Sequence, residues 1–244
     1  MKVEKYSATG NTFIVVDCIN EKLNDLEKST TVLNYVEDRD GVIFVEKNEN
    51  TYHMDYFNRD GKRATFCGNG ARTFVTYLME FYNINGDIIF STNAGVLKAK
   101  ASTSLHIVSV QMPSPVYKNM IEYNGFIGVL VEVGVPHIIV KSPNVDFIEF
   151  EKVAPEMRRK FNANVNFFEV IREKALKIRT YERGVERETL SCGSGVTATA
   201  YYYKFFILED SSVPDKVEIH ARGGILSVLF SDKDIFLEGG VLHE

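Results

Sequence analysis

The chain has 244 residues, 45% of them hydrophobic and 25% charged, which is the balance of an ordinary globular protein with enough length for one large or two modest domains. A formal net charge of −5 with no basic stripe leaves no electrostatic footprint for nucleic-acid binding. Phe13–Val16 is too short to span a bilayer and Gly125–Val140 is broken by Glu132, Pro136 and His137, while Met1–Tyr6 lacks the apolar core of a signal peptide, so the expected location is the cytoplasm.

In chain order, a helix is expected near Leu26–Glu37 and a strand at Gly41–Glu46. Ala71, Phe74, Val75, Leu78 and Phe81 then share one face of a helix that follows Cys67. Strands are expected at Ile88–Ser91 and His106–Met112, and Pro113, Pro115, Asn119 and Asn124 mark a linker within Met112–Asn124. A helix near Lys152–Lys160, with Pro155 in its first turn, precedes a strand at Val165–Ile171. Val196, Ala200, Tyr203 and Ile207 carry helical spacing after Cys192, and Val217–His220 reads as a strand.

Much of this pattern occurs twice. Tyr56 leads to Cys67-Gly68-Asn69-Gly70 and Tyr181 leads to Cys192-Gly193-Ser194-Gly195, both at an offset of 125 residues (56 to 181, 67 to 192). Gly10–Val16 echoes Gly134–Val140, and Asp87–Ser102 echoes Lys216–Ser231, in the same order and at nearly the same offset. Chance explains one such echo, but not four in register. The reading is a duplicated α+β chain with two similar halves facing a shared cleft.

The three cysteines (Cys18, Cys67, Cys192) are too few for a disulfide framework and form no Cys-x-x-Cys pair, and the five histidines show no metal-ligand spacing. A cysteine at a helix start is different chemically. Unbonded backbone N–H groups and the positive end of the helix dipole stabilise its thiolate, and glycine leaves those N–H groups open to a carboxylate. Two such cysteines at equivalent positions of a duplicated chain would place one thiol on each side of a central ligand. That is the arrangement needed to take a proton from one face of a carbon and return one to the other. Cys18, outside both motifs, reads as a small buried side chain, and the aromatic cluster Tyr201–Phe206 as packing.

On these residues the chain resembles the diaminopimelate epimerase family. The resemblance rests on Gly10-Asn11-x-Phe13, Phe57-Asn58-x-x-Gly61, Cys67-Gly68-Asn69-Gly70-Ala71-Arg72, Gly134-x-Pro136-His137, Ala163-Asn164-Val165, Tyr181-Glu182-Arg183-Gly184 and Cys192-Gly193-Ser194-Gly195, and runs from residue 1 to near the C-terminus. It implies two pseudo-symmetric duplicated domains, residues 1–116 carrying Cys67 and 117–244 carrying Cys192. Each would be a strand-rich, barrel-like sheet around a central helix, with the active site in the cleft between them. The implied reaction interconverts LL- and meso-2,6-diaminopimelate, on the route to lysine and peptidoglycan precursors, with no cofactor, neither pyridoxal phosphate nor a metal. The implied partner is a small-molecule amino-acid substrate, with no nucleic acid and no membrane; a homodimeric assembly is compatible with the reading.

By the same resemblance Cys67 and Cys192 are the acid and base, and His137 and Glu182 sit beside the reacting centre. Gly68, Asn69, Gly193 and Ser194 grip the α-carboxylate. Asn11, Asn58, Asn164 and Arg183 read the distal end of the substrate. Structural readings stand beside these: Asn58 lies in the turn sequence Asn58-Arg59-Asp60-Gly61, Asn164 and His137 can be strand-boundary residues, and Arg183 can be a solvated hairpin residue. The chain departs from the family at Val135, usually asparagine, at Thr12, usually aspartate, and at Val196-Thr197, usually Ala-Cys. Val135 favours an alternative in which the same thiol chemistry acts on lysine or histidine. A thiol–disulfide redox protein is disfavoured by the separation of the two cysteines, and a non-catalytic amino-acid-binding module by retention of both.

Overall fold

The computed structural model describes residues 2–49, 51–102 and 107–244. The chain divides into two compact units, Met1–Gln111 with Glu238–Glu244, and Met112–Leu237.

In the first unit β1 (Lys2–Ala8) and β2 (Asn11–Asp17) form an antiparallel hairpin turned by Thr9 and Gly10, both at positive φ, a conformation that costs glycine nothing. α1 (Asp25–Tyr35) starts at a capping box: Asn24 Oδ1 accepts from Glu27 N at 3.1 Å and Glu27 Oε2 accepts from Asn24 N at 2.7 Å. β3 (Gly41–Asn48) returns parallel to β2, and β4 (Thr51–Asn58) runs antiparallel to β3 and leads through β5 (Arg63–Ala64) into α2 (Gly68–Tyr82). β6 (Gly86–Thr92) is parallel to β4, and β7 (Gly95–Ser102) and β8 (Ile107–Gln111) continue antiparallel. His106, expected in the last of these strands, lies outside the described residues. α2 is the centre of the unit: every residue from Gly68 to Leu78 is buried, against strands that include β1 to β4, β7 and β8. Burying its apolar side chains, at about 1.5–3 kcal/mol each, is what holds these short strands around one axis.

The second unit repeats the plan. β9 (Val116–Tyr123) and β10 (Phe126–Val133) form a hairpin turned at Asn124 and Gly125, so most of the stretch expected as a linker is a paired strand. Its prolines precede the strand, where a missing N–H costs the ladder nothing. β11 (Val135–Lys141) pairs back on β10 about Gly134 at φ +70°, and α3 (Phe150–Phe161) crosses over to β12 (Asn164–Arg172), parallel to β11. α3 starts earlier than its sequence suggests because Phe150 is buried and anchors the first turn. Pro155 therefore lies inside the helix, past its first turn. β13 (Ala175–Glu182), β14 (Arg187–Thr189) and α4 (Gly193–Tyr202) follow, then β15 (Asp215–Ala221) parallel to β13, as β6 is to β4, and β16 (Gly224–Phe230) antiparallel to β15. The helical pattern expected through Ile207 stays α-helical only to Tyr202; Tyr203–Ile207 wind as a π-helical turn in which buried Lys204 pairs with Asp215 at 2.6 Å. The chain ends in β17 (Ile235–Gly240) and β18 (Leu242–His243); β18 is itself part of the first unit, where it pairs with β1.

The duplication extends to a salt bridge. Asp55 on β4 pairs with Arg63 on β5 at 2.8 Å, and at the equivalent places Arg179 on β13 pairs with Glu188 on β14 at 2.7 Å, with the charges exchanged. No helix among the described residues is long and apolar enough to cross a membrane.

Candidate active site

Cys67 and Cys192 are the N-cap residues of α2 and α4, with nearly the same extended backbone: φ −142°, ψ 114° and φ −129°, ψ 109°. Gly68 and Asn69, and likewise Gly193 and Ser194, are the first helical residues, where backbone N–H groups have no partner within the helix. Each motif therefore combines a sulfur, a helix dipole and anion-accepting N–H groups within one turn.

In the first unit Cys67 Sγ accepts from Gly70 N at 3.3 Å, and its thiol donates to Asn11 Oδ1 at 3.9 Å. Asn11 is held from behind: its Nδ2 donates to Asp40 Oδ2 at 2.7 Å, and Asp40 Oδ2 also accepts from Thr12 N at 2.9 Å. Asn69 Nδ2 donates to Asn11 Oδ1 at 3.4 Å, and Asn69 Oδ1 accepts from Arg72 at 2.8 Å. Asn11, Cys67, Gly68 and Asn69 thus form one cluster. Asn58 does not join it: it ends β4 in an exposed turn closed by Gly61 N donating to Asn58 O at 2.9 Å.

In the second unit His137 opens a buried run of β11, and its ring is wholly enclosed. Burial, reinforced by the charge of Arg183, pushes His137 down to about 3, so it is neutral near pH 7. Its tautomer follows from its neighbours. Asn166 Nδ2 donates to Ile138 O at 3.0 Å while Asn166 Oδ1 accepts from Thr180 Oγ1 at 3.0 Å, which fixes the amide. The same Nδ2, at 3.2 Å from His137 Nδ1, must therefore donate to it, leaving the ring proton on Nε2. Nε2 donates to Ser194 Oγ at 2.9 Å, and Ser194 Oγ lies within hydrogen-bonding distance of Cys192 Sγ at 3.5 Å, where its proton is free to turn toward the sulfur when that is a thiolate. A neutral chain of fixed polarity, Thr180–Asn166–His137–Ser194, ends on the sulfur. Gly195 is what lets it pack: a Cβ there would overlap Asn166 Oδ1 and stand 3.4 Å from His137 Nδ1.

Asn164 Oδ1 accepts from Arg183 N at 2.8 Å and its Nδ2 donates to Pro136 O at 3.2 Å, so it ties the loop carrying Arg183 to the strand carrying His137. Glu182 ends β13, half-buried, and accepts from Thr189 Oγ1 at 2.6 Å. Cys18 is buried, and burial pushes its thiol up to about 11. Among the described residues no group of three or more His, Cys, Asp and Glu side chains is placed to hold a metal ion.

Four residues of these clusters were given no site role from sequence: Asp40, Arg72 (read only as the end of the Cys67 motif), Asn166 and Thr180. Asn166 had a signal, since it lies two residues beyond Asn164 and so on the same face of the strand, ahead of Phe168 and Val170. Arg72 sits one helical turn past Asn69 on a helix face that is otherwise apolar or small.

A family model, diaminopimelate epimerase, matches residues 3–118 and 129–242. The chain belongs to the diaminopimelate epimerase family. It is an isomerase of the epimerase class. A diaminopimelate epimerase of Thermotoga maritima is 41% identical over 237 residues, covering 97% of each chain. One from Campylobacter jejuni subsp. doylei is 36% identical over 248 residues, covering 100% of this chain and 96% of the relative. Among solved structures, a PhzF-family phenazine biosynthesis protein of Bacillus anthracis shares the fold with a TM-score of 0.82 at 18% identity, covering 100% of this chain and 97% of the other.

Proposed function

We propose that the chain interconverts LL- and meso-2,6-diaminopimelate by a two-base thiol mechanism, as a step in lysine and peptidoglycan precursor synthesis. The observation that carries this reading is the pair of cysteines capping equivalent helices of a duplicated chain whose relatives are diaminopimelate epimerases. One sulfur, as thiolate, takes the α-proton; the other, as thiol, delivers its proton to the opposite face of the carbon. The two then exchange protonation states and run the reverse direction. The negative charge that develops on the α-carboxylate is met by the N–H groups of Gly68, Asn69, Gly193 and Ser194. His137 and Glu182 adjoin the reacting centre; Asn11, Asn58, Asn164 and Arg183 select the distal end, where the Arg183 guanidinium suits a carboxylate.

Val135 supports a second reading. It opens β11 immediately before Pro136 and His137, half-buried, and offers the substrate no hydrogen bond. Another amino acid such as lysine or histidine would then be the substrate of the same chemistry. Exchange of α-hydrogen in deuterated water, followed by NMR over a small amino-acid panel, separates the two. Diaminopimelate should exchange fastest, with lysine slower for want of the distal carboxylate. Faster turnover of lysine or histidine would establish the second reading, and no exchange with any α-amino acid would remove both.

A further inference from the structure

Four cationic side chains are buried among the described residues: Lys28, Arg72, Arg179 and Lys204. Three have carboxylates: Lys28 has Asp55 and Glu46 at 2.7 Å, Arg179 has Glu188 at 2.7 Å, and Lys204 has Asp215 at 2.6 Å. Arg72 has none. Its hydrogen bonds go to neutral acceptors, Gly240 O and Thr9 Oγ1 at 3.0 Å and Asn69 Oδ1 at 2.8 Å, and its Nε is unbonded. An enclosed cation without an anion is costly, so a counter-charge is to be sought nearby.

We infer that Arg72 is a positioning residue whose counter-ion is the thiolate of Cys67, so that the resting enzyme holds Cys67 deprotonated. The side chain of Arg72 runs back toward the N-terminus of α2, as long helical side chains do, and donates to Asn69, whose Nδ2 donates to Asn11 Oδ1. The Cys67 thiol donates to that same oxygen at 3.9 Å, a bond that is given up when the sulfur ionises, while Gly70 N at 3.3 Å goes on donating to the sulfur. Burial lowers Arg72 to about 10, still charged at neutral pH, and the negative charge of Cys67 is what opposes that shift. Asp40, which accepts from Asn11 and Thr12, keeps its negative charge and opposes the thiolate from behind Asn11, so the Arg72 charge must outweigh it. Other charges on strands packed against α2 are engaged elsewhere. Asp17 accepts from Tyr77 and Tyr82, and Glu80 from Tyr6; Tyr77, Glu80 and Tyr82 lie ten or more residues past Cys67 on α2, about 15 Å or more along its axis. Glu46 and Asp55 pair with Lys28, and His53 bonds Ser91. At the position equivalent to Arg72, α4 has Thr197, whose hydroxyl donates to Gly193 O at 2.9 Å. The second motif has no buried cation at that place.

The inference builds on the two-thiol reading, but its test needs no substrate. In a Cys192→Ala background, the rate of alkylation of Cys67 by iodoacetamide is followed against pH, with far-UV circular dichroism as the check on folding. Cys67 should react with a midpoint below the ~8.5 of an ordinary thiol. Arg72→Met should raise that midpoint by a unit or more, a tenfold loss of thiolate near neutral pH, and Arg72→Lys should restore most of it. Arg72→Met that folds and leaves the midpoint unmoved overturns the inference, including when it raises the KM for substrate, which would make Arg72 a substrate ligand. If Arg72→Met does not fold, the protein with both cysteines decides: at pH 6 Cys67 must label faster than Cys192, and the reverse order overturns the inference. A shifted midpoint in an enzyme inactive on diaminopimelate would retain the Arg72 assignment and refute the proposed function alone.

Discussion

The two cysteine motifs share a backbone and differ in what stands behind it. Both sulfurs cap a buried helix from the same extended conformation, in the same order of strands. Behind Cys67 lies an enclosed guanidinium reached through Asn69; behind Cys192 lies an uncharged chain of hydrogen bonds reached through Ser194. The frame fixes where each sulfur sits. The packing behind it sets how the sulfur is held. The exchanged salt bridge, Asp55–Arg63 against Arg179–Glu188, shows the same division: the duplicated strands keep the pair, while its polarity is free to change.

The most severe way to break the comparison is to remove one sulfur at a time. Cys67→Ala and Cys192→Ala should each lower epimerisation by about 10²–10⁴-fold or more, the usual worth of a missing acid or base. In deuterated water the residual exchange should favour opposite α-configurations in the two variants. Near wild-type turnover in either variant would exclude that cysteine from proton transfer.

The glycines one turn into each helix separate the two motifs by packing. At Gly70 an added Cβ meets Cys67 Cβ at 3.3 Å and Met54 Cε at 3.4 Å, contacts a small shift relieves. At Gly195 it collides with the Asn166 amide, which is fixed by three hydrogen bonds. Gly195→Ala should therefore destabilise at the upper end of the roughly 1–3 kcal/mol typical of overpacking, and Gly70→Ala clearly less, as measured by urea unfolding. Equal losses would mean that the Asn166 amide is not held as described.

The duplication, both helices after the cysteines and most of the strands were legible because they rest on local pattern: apolar periodicity, turn residues and a repeated motif. Asn11, Cys67 and Asn69 were named through the resemblance, Asn11 for the distal end of the substrate; that Asn11 lies against Cys67 and Asn69 is seen only in the structure. What was not legible depends on long-range packing. A proline-marked stretch became β9 because β10 pairs with it, which spacing alone does not show. Arg72 reads as one more residue of an amphipathic helix until its surroundings are known to lack a carboxylate. Asn166 and Thr180 act only because β12 and β13 are paired with Asn166 opposite Thr180.

The enclosed His137 makes the second motif sensitive to acid. Its ring holds no proton until about pH 3 in the folded chain, whereas in the unfolded chain it binds one near 6.5. The unfolded state therefore takes up protons first, so the contribution of His137 is complete above pH 6.5 and is lost as pH falls toward 3. At pH 5 the loss should be roughly 2 kcal/mol, at about 1.4 kcal/mol per pH unit. His137→Gln should flatten that part of the stability–pH curve, and an unchanged slope in the variant would mean that His137 is protonated in the folded protein.

The smallest effect expected is at Ser194, and it sharpens the comparison most. The ring proton on His137 Nε2 occupies a lone pair of the Ser194 hydroxyl, which leaves the hydroxyl proton for Cys192 Sγ at 3.5 Å. A hydrogen bond donated to a sulfur stabilises its thiolate, so Ser194→Ala should move the alkylation midpoint of Cys192 upward. The contact is long and the donor uncharged, so the shift should be a fraction of a unit, smaller than that of Arg72→Met on Cys67. Cys67 should be unaffected by Ser194→Ala, and Cys192 by Arg72→Met. The readout is alkylation with the opposite motif's cysteine replaced by alanine and Cys18 left buried, which keeps it apart from any loss of carboxylate binding at the Ser194 N–H. A downward shift at Cys192 would mean that Ser194 accepts from the thiol instead, its oxygen then accepting from both His137 Nε2 and Cys192.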